Sequence, residues 1–312
     1  MTIDFGFAEE QRALAATARE LFEKESPPSR LRAVWEGAER DPRVWKTMAD
    51  VGLVGVMIAE EFGGMGGDEV DMALVLEEVG RAALPEPLAE VAVAARALDD
   101  ADLLRGIAAG DVVAVISAAE LAPDADLAQI AIVDDIAHRT FSAGRVPSLD
   151  HGRRLFRVTP TGDGTPVAPT GARVAWATAC VLNGVSMRLL EMSIEHAKER
   201  MQFGVPIGSF QAVKHKLAAG HAVLTAARAA AHHAAYGLAH GSDDIAVAVV
   251  EAVAAHELIN RDALQVHAGI GFTWEHDLHL WLKRGIALAG TLDAPAHRAR
   301  LAQRLFEEDA DA

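Results

Sequence analysis

The stretch Arg200-Met-Gln-Phe-Gly-Val-Pro-Ile-Gly-Ser-Phe-Gln211 places a guanidinium at the joint of two helical patterns. Upstream, Val181, Val185, Leu189, Met192 and Ile194 recur at helical spacing, and downstream the rhythm resumes through Val213, Leu217, Val223 and Leu224. Gly204 and Pro206 punctuate the joint. An arginine there faces the negative end of a helix dipole and can reach outward to a phosphate or carboxylate with two parallel hydrogen bonds. The chemistry this stretch predicts is the holding of an anion.

Five other groups of residues invite chemistry. Gln265-Val-His-Ala-Gly269-Ile-Gly271-Phe brings a glutamine and closely spaced glycines together, and Gly269 lets backbone approach a ligand because no Cβ intervenes. Glu275-His276-Asp277-Leu278-His279 sets two imidazoles three apart, a spacing open to metal ligation but more simply read as helix capping, with Thr273 as the N-cap. The loop Glu60-Glu-Phe-Gly-Gly-Met-Gly-Gly67 is rich in glycine but lacks the Lys-Ser/Thr ending of a phosphate loop, so it reads as a helix connection. Cys180, the one cysteine, lies on an apolar helical pattern and reads as core. His232-His233 and Asp243-Asp244 flank a joint at 239–242 and read as solvated helix ends.

Arg-x-x-Phe-Gly-x-x-Ile-x-x-Phe-Gln at 200–211 resembles the flavin-binding turn of the acyl-CoA dehydrogenase family. Residues 265–272 resemble that family's Gln-x-x-Gly-Gly-x-Gly-Phe segment, with Gly269-Ile270 taken to stand where the family has paired glycines. Ile58-Ala-Glu-Glu-Phe-Gly-Gly64 and Glu77-Glu-Val-Gly-Arg81 resemble its N-terminal helical domain. The likeness covers roughly residues 1–110 and 170–305.

The resemblance implies FAD as cofactor. Arg200 would pair with the diphosphate, Gln202 and Phe203 would follow the diphosphate and adenosine, and Gln265 and Gly269 would embrace the adenine-ribose-phosphate end, all serving the flavin of a neighbouring subunit. The family's α,β-dehydrogenation of an acyl-CoA needs a carboxylate base near the α-carbon. Its two usual positions map to Ala289 and near Val174, neither an acid. Asp293 and Glu191 are the acids near those positions, both out of register. The family's ring-binding segments have no counterpart between residues 105 and 170. The chain is similar to the shortened subunit of heteromeric actinobacterial acyl-CoA dehydrogenases of steroid side-chain degradation. That likeness implies a homologous full-length partner in an α2β2 assembly, a bulky acyl-CoA substrate and an electron-transfer flavoprotein as acceptor. Two other readings stay open: a self-sufficient homo-oligomeric enzyme using an offset acid, and a non-catalytic structural or regulatory homologue.

The elements that must position these residues follow from pattern. A chain of 312 residues with 51% hydrophobic content can bury two or three packed regions. A formal net charge of −16 argues against nucleic acid or an anionic membrane as the main partner. The single cysteine, together with the lack of a signal-peptide pattern and of a long apolar span, leads to the expectation of a cytoplasmic protein. Amphipathic or apolar helices are predicted at 5–24, 29–38, 42–51, 70–83 and 88–98. Short β-prone runs follow at 112–117, 128–133 and 154–158, and helices return at about 172–199, 210–238, 243–268 and 275–305, the last broken near Gly290. The fold class is therefore mostly α. We expect a helical domain over 1–109, a shortened middle β segment over 110–170, and a C-terminal antiparallel four-helix bundle over 171–312.

Overall fold

The structure, a computed structural model, describes residues 6–118 and 120–310. Six helices come first: α1 (Glu9–Glu25), α2 (Pro28–Trp35), α3 (Pro42–Asp50), α4 (Glu69–Arg81), α5 (Leu88–Ala97) and α6 (Ala101–Ala108). Proline opens α2 and α3, where its fixed φ suits the first turn and no intrahelical donor is lost. Aspartates cap three helix starts. Asp41 accepts from the Arg43 amide, Asp68 from Val70 and Asp71, and Asp100 from Asp102 and Leu103. The glycine-rich loop before α4 spends its backbone donors internally: Met65, Gly66 and Gly67 donate to the carbonyls of Gly55, Ile58 and Val56, so these amides do not cradle a phosphate.

The middle segment is more elaborate than the sequence suggests. It holds β1 (Ala114–Ser117), β2 (Leu121–Pro123), β3 (Ile130–Val133), β4 (Ile136–His138), β5 (Phe141–Val146), β6 (Leu155–Pro160) and β7 (Gly164–Pro166). One sheet runs β1-β3-β4-β7, with β1 and β3 parallel (Ala114 opposite Ile130) and the other neighbours antiparallel. The second runs β2-β6-β5, wholly antiparallel, with Arg145 opposite Phe156. The predicted runs became β1, β3 and β6. Strand β5 escaped notice because most of its residues face solvent, leaving no apolar alternation to read. Helix α6 was likewise not anticipated.

The chain then returns to helices: α7 (Gly171–Glu199), α8 (Gln211–Ala239), α9 (Ala246–His267), α10 (Leu278–Ala289) and α11 (Ala294–Ala310), with a small hairpin of β8 (Met201–Gln202) and β9 (Val205–Pro206) between α7 and α8. Asp135 accepts from both the amide and the hydroxyl of Thr170, each at 2.9 Å, and so ties the start of α7 to the β3–β4 turn. Helix α7 packs on α4, α8, α9 and α10. Its buried Trp176 donates to the Ala231 carbonyl on α8, and Trp281 on α10 donates to the Arg81 carbonyl at the end of α4. Cys180 is wholly buried here, and burial pushes its thiol well above the ordinary value.

Helices α4 and α7 meet through glycine. A methyl group on Gly80 would collide with the Val181 carbonyl, and one on Gly184 with the Glu77 carbonyl. Beside this contact Glu77 is almost fully buried, held by Arg228 (Nε at 3.0 Å, Nη2 at 2.6 Å) and by His232 Nε2 at 2.8 Å. Burial alone would raise this carboxyl, but the His232 and Arg228 hydrogen bonds hold it below its usual range. His232 is thus half-buried in an interior ion cluster and is not the solvated helix-end residue that the sequence suggested.

The crossing yields a test by denaturant unfolding. Gly184→Ala is expected to lower stability by about 3 kcal/mol through backbone overpacking. Gly171→Ala, where an added methyl meets nothing within 4 Å, should leave the midpoint nearly unchanged.

Candidate cofactor edge and active-site cavity

Helix α7 ends at Arg200, whose φ of −71° and ψ of 118° turn the chain into an extended conformation. The next six residues form a two-residue hairpin: Gln202 pairs with Val205, and Phe203 and Gly204 occupy the turn with φ of 52° and 80°. Positive φ at both turn positions matches the right-handed twist of a tight hairpin; glycine adopts it freely and phenylalanine at some cost. The Ile207 amide closes the motif on the Arg200 carbonyl at 2.8 Å. Arg200, Gln202 and Phe203 are all exposed, Phe203 at 93%, and Arg200 has no ion pair among the described residues. Phe210 meets Phe203 edge to face at 6.2 Å.

The second motif lies at the end of α9. Gln265 and Gly269 are both exposed, and a methyl on Gly269 would meet nothing within 4 Å. The conformation that favours glycine falls one residue earlier, at Ala268, with φ 52° and ψ −135°. Backbone freedom is thus demanded at 268, where this chain carries a methyl, while the space that lets backbone be approached lies at Gly269.

Imidazoles join the two motifs. His196, four residues before Arg200, stacks on His267, two residues after Gln265, with centroids 4.5 Å apart, and His276 meets His267 edge-on at 4.9 Å. His267 Nδ1 donates to the Ala263 carbonyl at 2.8 Å, and its buried Nε2 has no partner. Burial depresses His267 to about 4 and lowers His196 and His276 as well, so at neutral pH this cluster is uncharged. Thr273 is not an N-cap, since α10 starts five residues later; its hydroxyl donates to Ile270, and His276 Nδ1 instead accepts from the Leu278 amide at 3.1 Å. Among the described residues no group of three or more His, Cys, Asp or Glu is arranged to hold a metal ion.

A cavity of about 340 Å³ lies between α4, α5, β1, β2, α7 and the end of α10. Val79, Val93, Ile116, Val174, Val181 and Leu288 supply apolar wall. The fold brings Val174 together with Gly290 and Thr291, which sit beside Ala289; Ala289 itself is half-buried and does not line the space. Asp293 and Glu191 do not line it either. Asp293 accepts from the Ala296 amide at 3.1 Å, and Glu191 from Arg81 and Arg188. The cavity's carboxylates are Glu86, Glu90 and Asp124, each paired with an arginine: Glu86 with Arg30, Glu90 with Arg153, and Asp124 with Arg40 at 2.6 Å. Burial works to raise Glu90, but Arg153 outweighs it and holds the carboxyl low, whereas burial prevails at Asp124 and lifts it to about 6. Arg284, also lining the cavity, is buried against Asp150. Sequence reasoning missed all of these groups. Partners 56 to 134 residues apart leave no local signal.

Comparison with known proteins agrees with this architecture. Residues 8–98 match the acyl-CoA dehydrogenase N-terminal domain, and residues 162–291 match the acyl-CoA dehydrogenase C-terminal domain. The chain is 35% identical over 308 residues to acyl-CoA dehydrogenase IpdE2 of Mycolicibacterium smegmatis, an alignment covering 94% of this chain and 97% of that one. Among solved structures, it is similar to a chain of the Tcur3481-Tcur3483 steroid ACAD, with TM-score 0.87 and 26% identity, covering 97% of this chain and 99% of that chain. It also resembles a chain of the ChsE4-ChsE5 complex from Mycobacterium tuberculosis, with TM-score 0.86 and 21% identity over 98% and 99%. The chain belongs to the acyl-CoA dehydrogenase family, whose members are FAD-dependent oxidoreductases. No helix among the described residues is long and apolar enough to cross a membrane.

Two outcomes follow for this edge. Ala268→Gly should raise stability by about 1 kcal/mol, read by thermal unfolding, because glycine adopts this conformation without strain. His267 has a folded-state pKa below its unfolded one, so the unfolded chain takes up the proton first and stability falls as pH drops from about 6.5 to about 4. His267→Asn, which keeps a donor for the Ala263 carbonyl, should flatten the fall of the melting midpoint across that window.

Proposed function

We propose that the chain is the non-catalytic half of a two-chain acyl-CoA dehydrogenase, giving FAD contacts to a homologous full-length partner subunit in an α2β2 assembly. The observation that carries this reading is the pairing of an exposed, unpaired Arg200 with a cavity whose three carboxylates are all committed to arginines. Each of these carboxylates would have to give up its arginine to take an α-proton, and Val174 and Ala289 are not acids.

At the edge, Arg200 would hold the FAD diphosphate through its guanidinium, with Gln202, Phe203, Gln265 and Gly269 against the adenosine side. These residues fit the task. The arginine has no competing ion pair among the described residues, the Gly269 backbone is open to approach, and Phe203 exposes 93% of its surface. When bound, FAD supplies the acceptor for the hydride removed from the acyl-CoA. The residues of this chain bind and orient; the partner supplies the ring pocket and the base. The exposed side chains of Met201, Phe203, Val205, Ile270, Phe272 and Trp274 near the two motifs make this end of the helices suited to burial under another subunit. The substrate class we assign is a bulky steroid side-chain CoA thioester, supported by the steroid relative, with an electron-transfer flavoprotein as acceptor and a cytoplasmic site of action.

Native mass spectrometry with flavin counting, on the chain alone and co-expressed with candidate partner chains, tests the reading. The expected result is a colourless, inactive single chain and an active complex with fewer flavins than chains. A yellow homo-oligomer that reduces dye with an acyl-CoA would overturn it in favour of a self-sufficient enzyme, and failure to assemble with any partner would favour a structural homologue. Within the complex, Arg200→Ala should lower flavin retention at least about tenfold without altering the melting of either chain. Undiminished flavin content would remove Arg200 from the site.

A further inference from the structure

A second cavity, of about 360 Å³, lies between the segment Val34–Arg40 at the end of α2 and the segment 145–155 that joins β5 to β6. Leu155 lines both this space and the apolar cavity, and the Arg40–Asp124 pair reaches from one to the other. Its character is different, because three arginines border it: Arg40, Arg145 and Arg154.

Arg40 is the unusual one. Its side chain is only 7% exposed, and Nη2 alone is used, donating to Asp124 at 2.6 Å and to the Gly152 carbonyl at 3.0 Å. Nε and Nη1 are buried without a partner among the described residues. Arg154 gives its Nη2 to Asp126 at 3.0 Å, while its Nε, 4.0 Å from Asp124, also lacks a hydrogen bond. Arg145 stands exposed with no ion pair among the described residues. A buried donor left unmade costs about 1–3 kcal/mol, so a ligand whose acceptors reach the unpaired donors of these two lining arginines is favoured. The remaining lining is consistent with a small guest. Trp35 is fixed by a stacked His151 at 4.9 Å, Asp150 is already committed to Arg284, and the exposed Glu36 and Glu39 at the rim repel an extended polyanion.

We propose that this cavity binds a compact tetrahedral oxyanion, a phosphate group, on Arg40, Arg145 and Arg154. Guanidinium forks match such an anion in geometry as well as charge. The site uses none of the residues assigned to the flavin edge, so it stands or falls independently of the two-chain reading.

Isothermal titration of the full-length chain with inorganic phosphate, at fixed ionic strength in chloride buffer, tests it. The expected result is saturable 1:1 binding, competed by sulfate. Adenosine 5′-monophosphate as a second titrant separates the sources: tighter binding than inorganic phosphate identifies a phosphate ester as the ligand, and binding of inorganic phosphate alone identifies the free ion. Arg145→Gln, at an exposed and unpaired position, should keep the melting temperature in phosphate-free buffer and weaken binding about tenfold. Arg40→Gln should abolish binding; should that variant fail to fold, Arg154→Gln provides the second reading, also with at least tenfold loss. Absence of saturable binding at concentrations on the order of 10 mM, or affinity unchanged in Arg145→Gln and Arg154→Gln, would overturn the proposal.

Discussion

The close approach of α4 to α7 through Gly80 and Gly184 is the constraint on which the remaining geometry depends. Helices that meet backbone to backbone leave no room for side chains at the contact, so their register is set by hard sterics and not by adaptable packing. That register buries Glu77, and a buried carboxylate demands partners; Arg228 and His232 of α8 provide them and thereby fix α8 against the pair. Arg81, the last residue of α4 and next to Gly80, accepts Trp281 on its carbonyl and pairs with Glu191 and Glu23, so α10 and α1 are tied to the same crossing. Val79 and Val181, flanking the glycines, then face one cavity together.

Charge is distributed in two distinct ways over this scaffold. The chain is strongly acidic overall, yet the acids near the cavity are answered one for one by arginines. Pairing makes burial tolerable and at the same time removes the free carboxylate that proton abstraction requires. At the far ends of α7 and α9 the arrangement is opposite: Arg200 is solvated, unpaired and flanked by exposed aromatic surface, which suits a group waiting for a ligand or a neighbour. The stacked histidines between those ends are kept neutral by burial, so they join the motifs without adding charge to the edge.

Much of this was legible in the amino-acid order, and the failures have a common cause. Helix ends were visible because prolines, aspartates and glycines act on the residues beside them. The Arg200 hairpin and the Gln265 segment were visible because each motif is contiguous. The positive-φ conformation of Ala268 gave no signal, because residue identity marks where glycine is present, whereas only backbone geometry shows where it is needed. His232 was taken for a helix-end residue because its partner, Glu77, is 155 positions away.

By itself, then, the sequence determined the helical class, the helix limits to within a few residues, and the edge motifs, all of which arise from interactions spanning a few neighbours. Tertiary structure alone decided that Val174 and Gly290 share a cavity, that every carboxylate in it is neutralised, and that Arg40 is sealed into a wall with unmet donors. Those facts depend on residues from separate elements meeting at distances of about 3 Å, and a contact of that kind exists only after the α4–α7 crossing has brought the elements together.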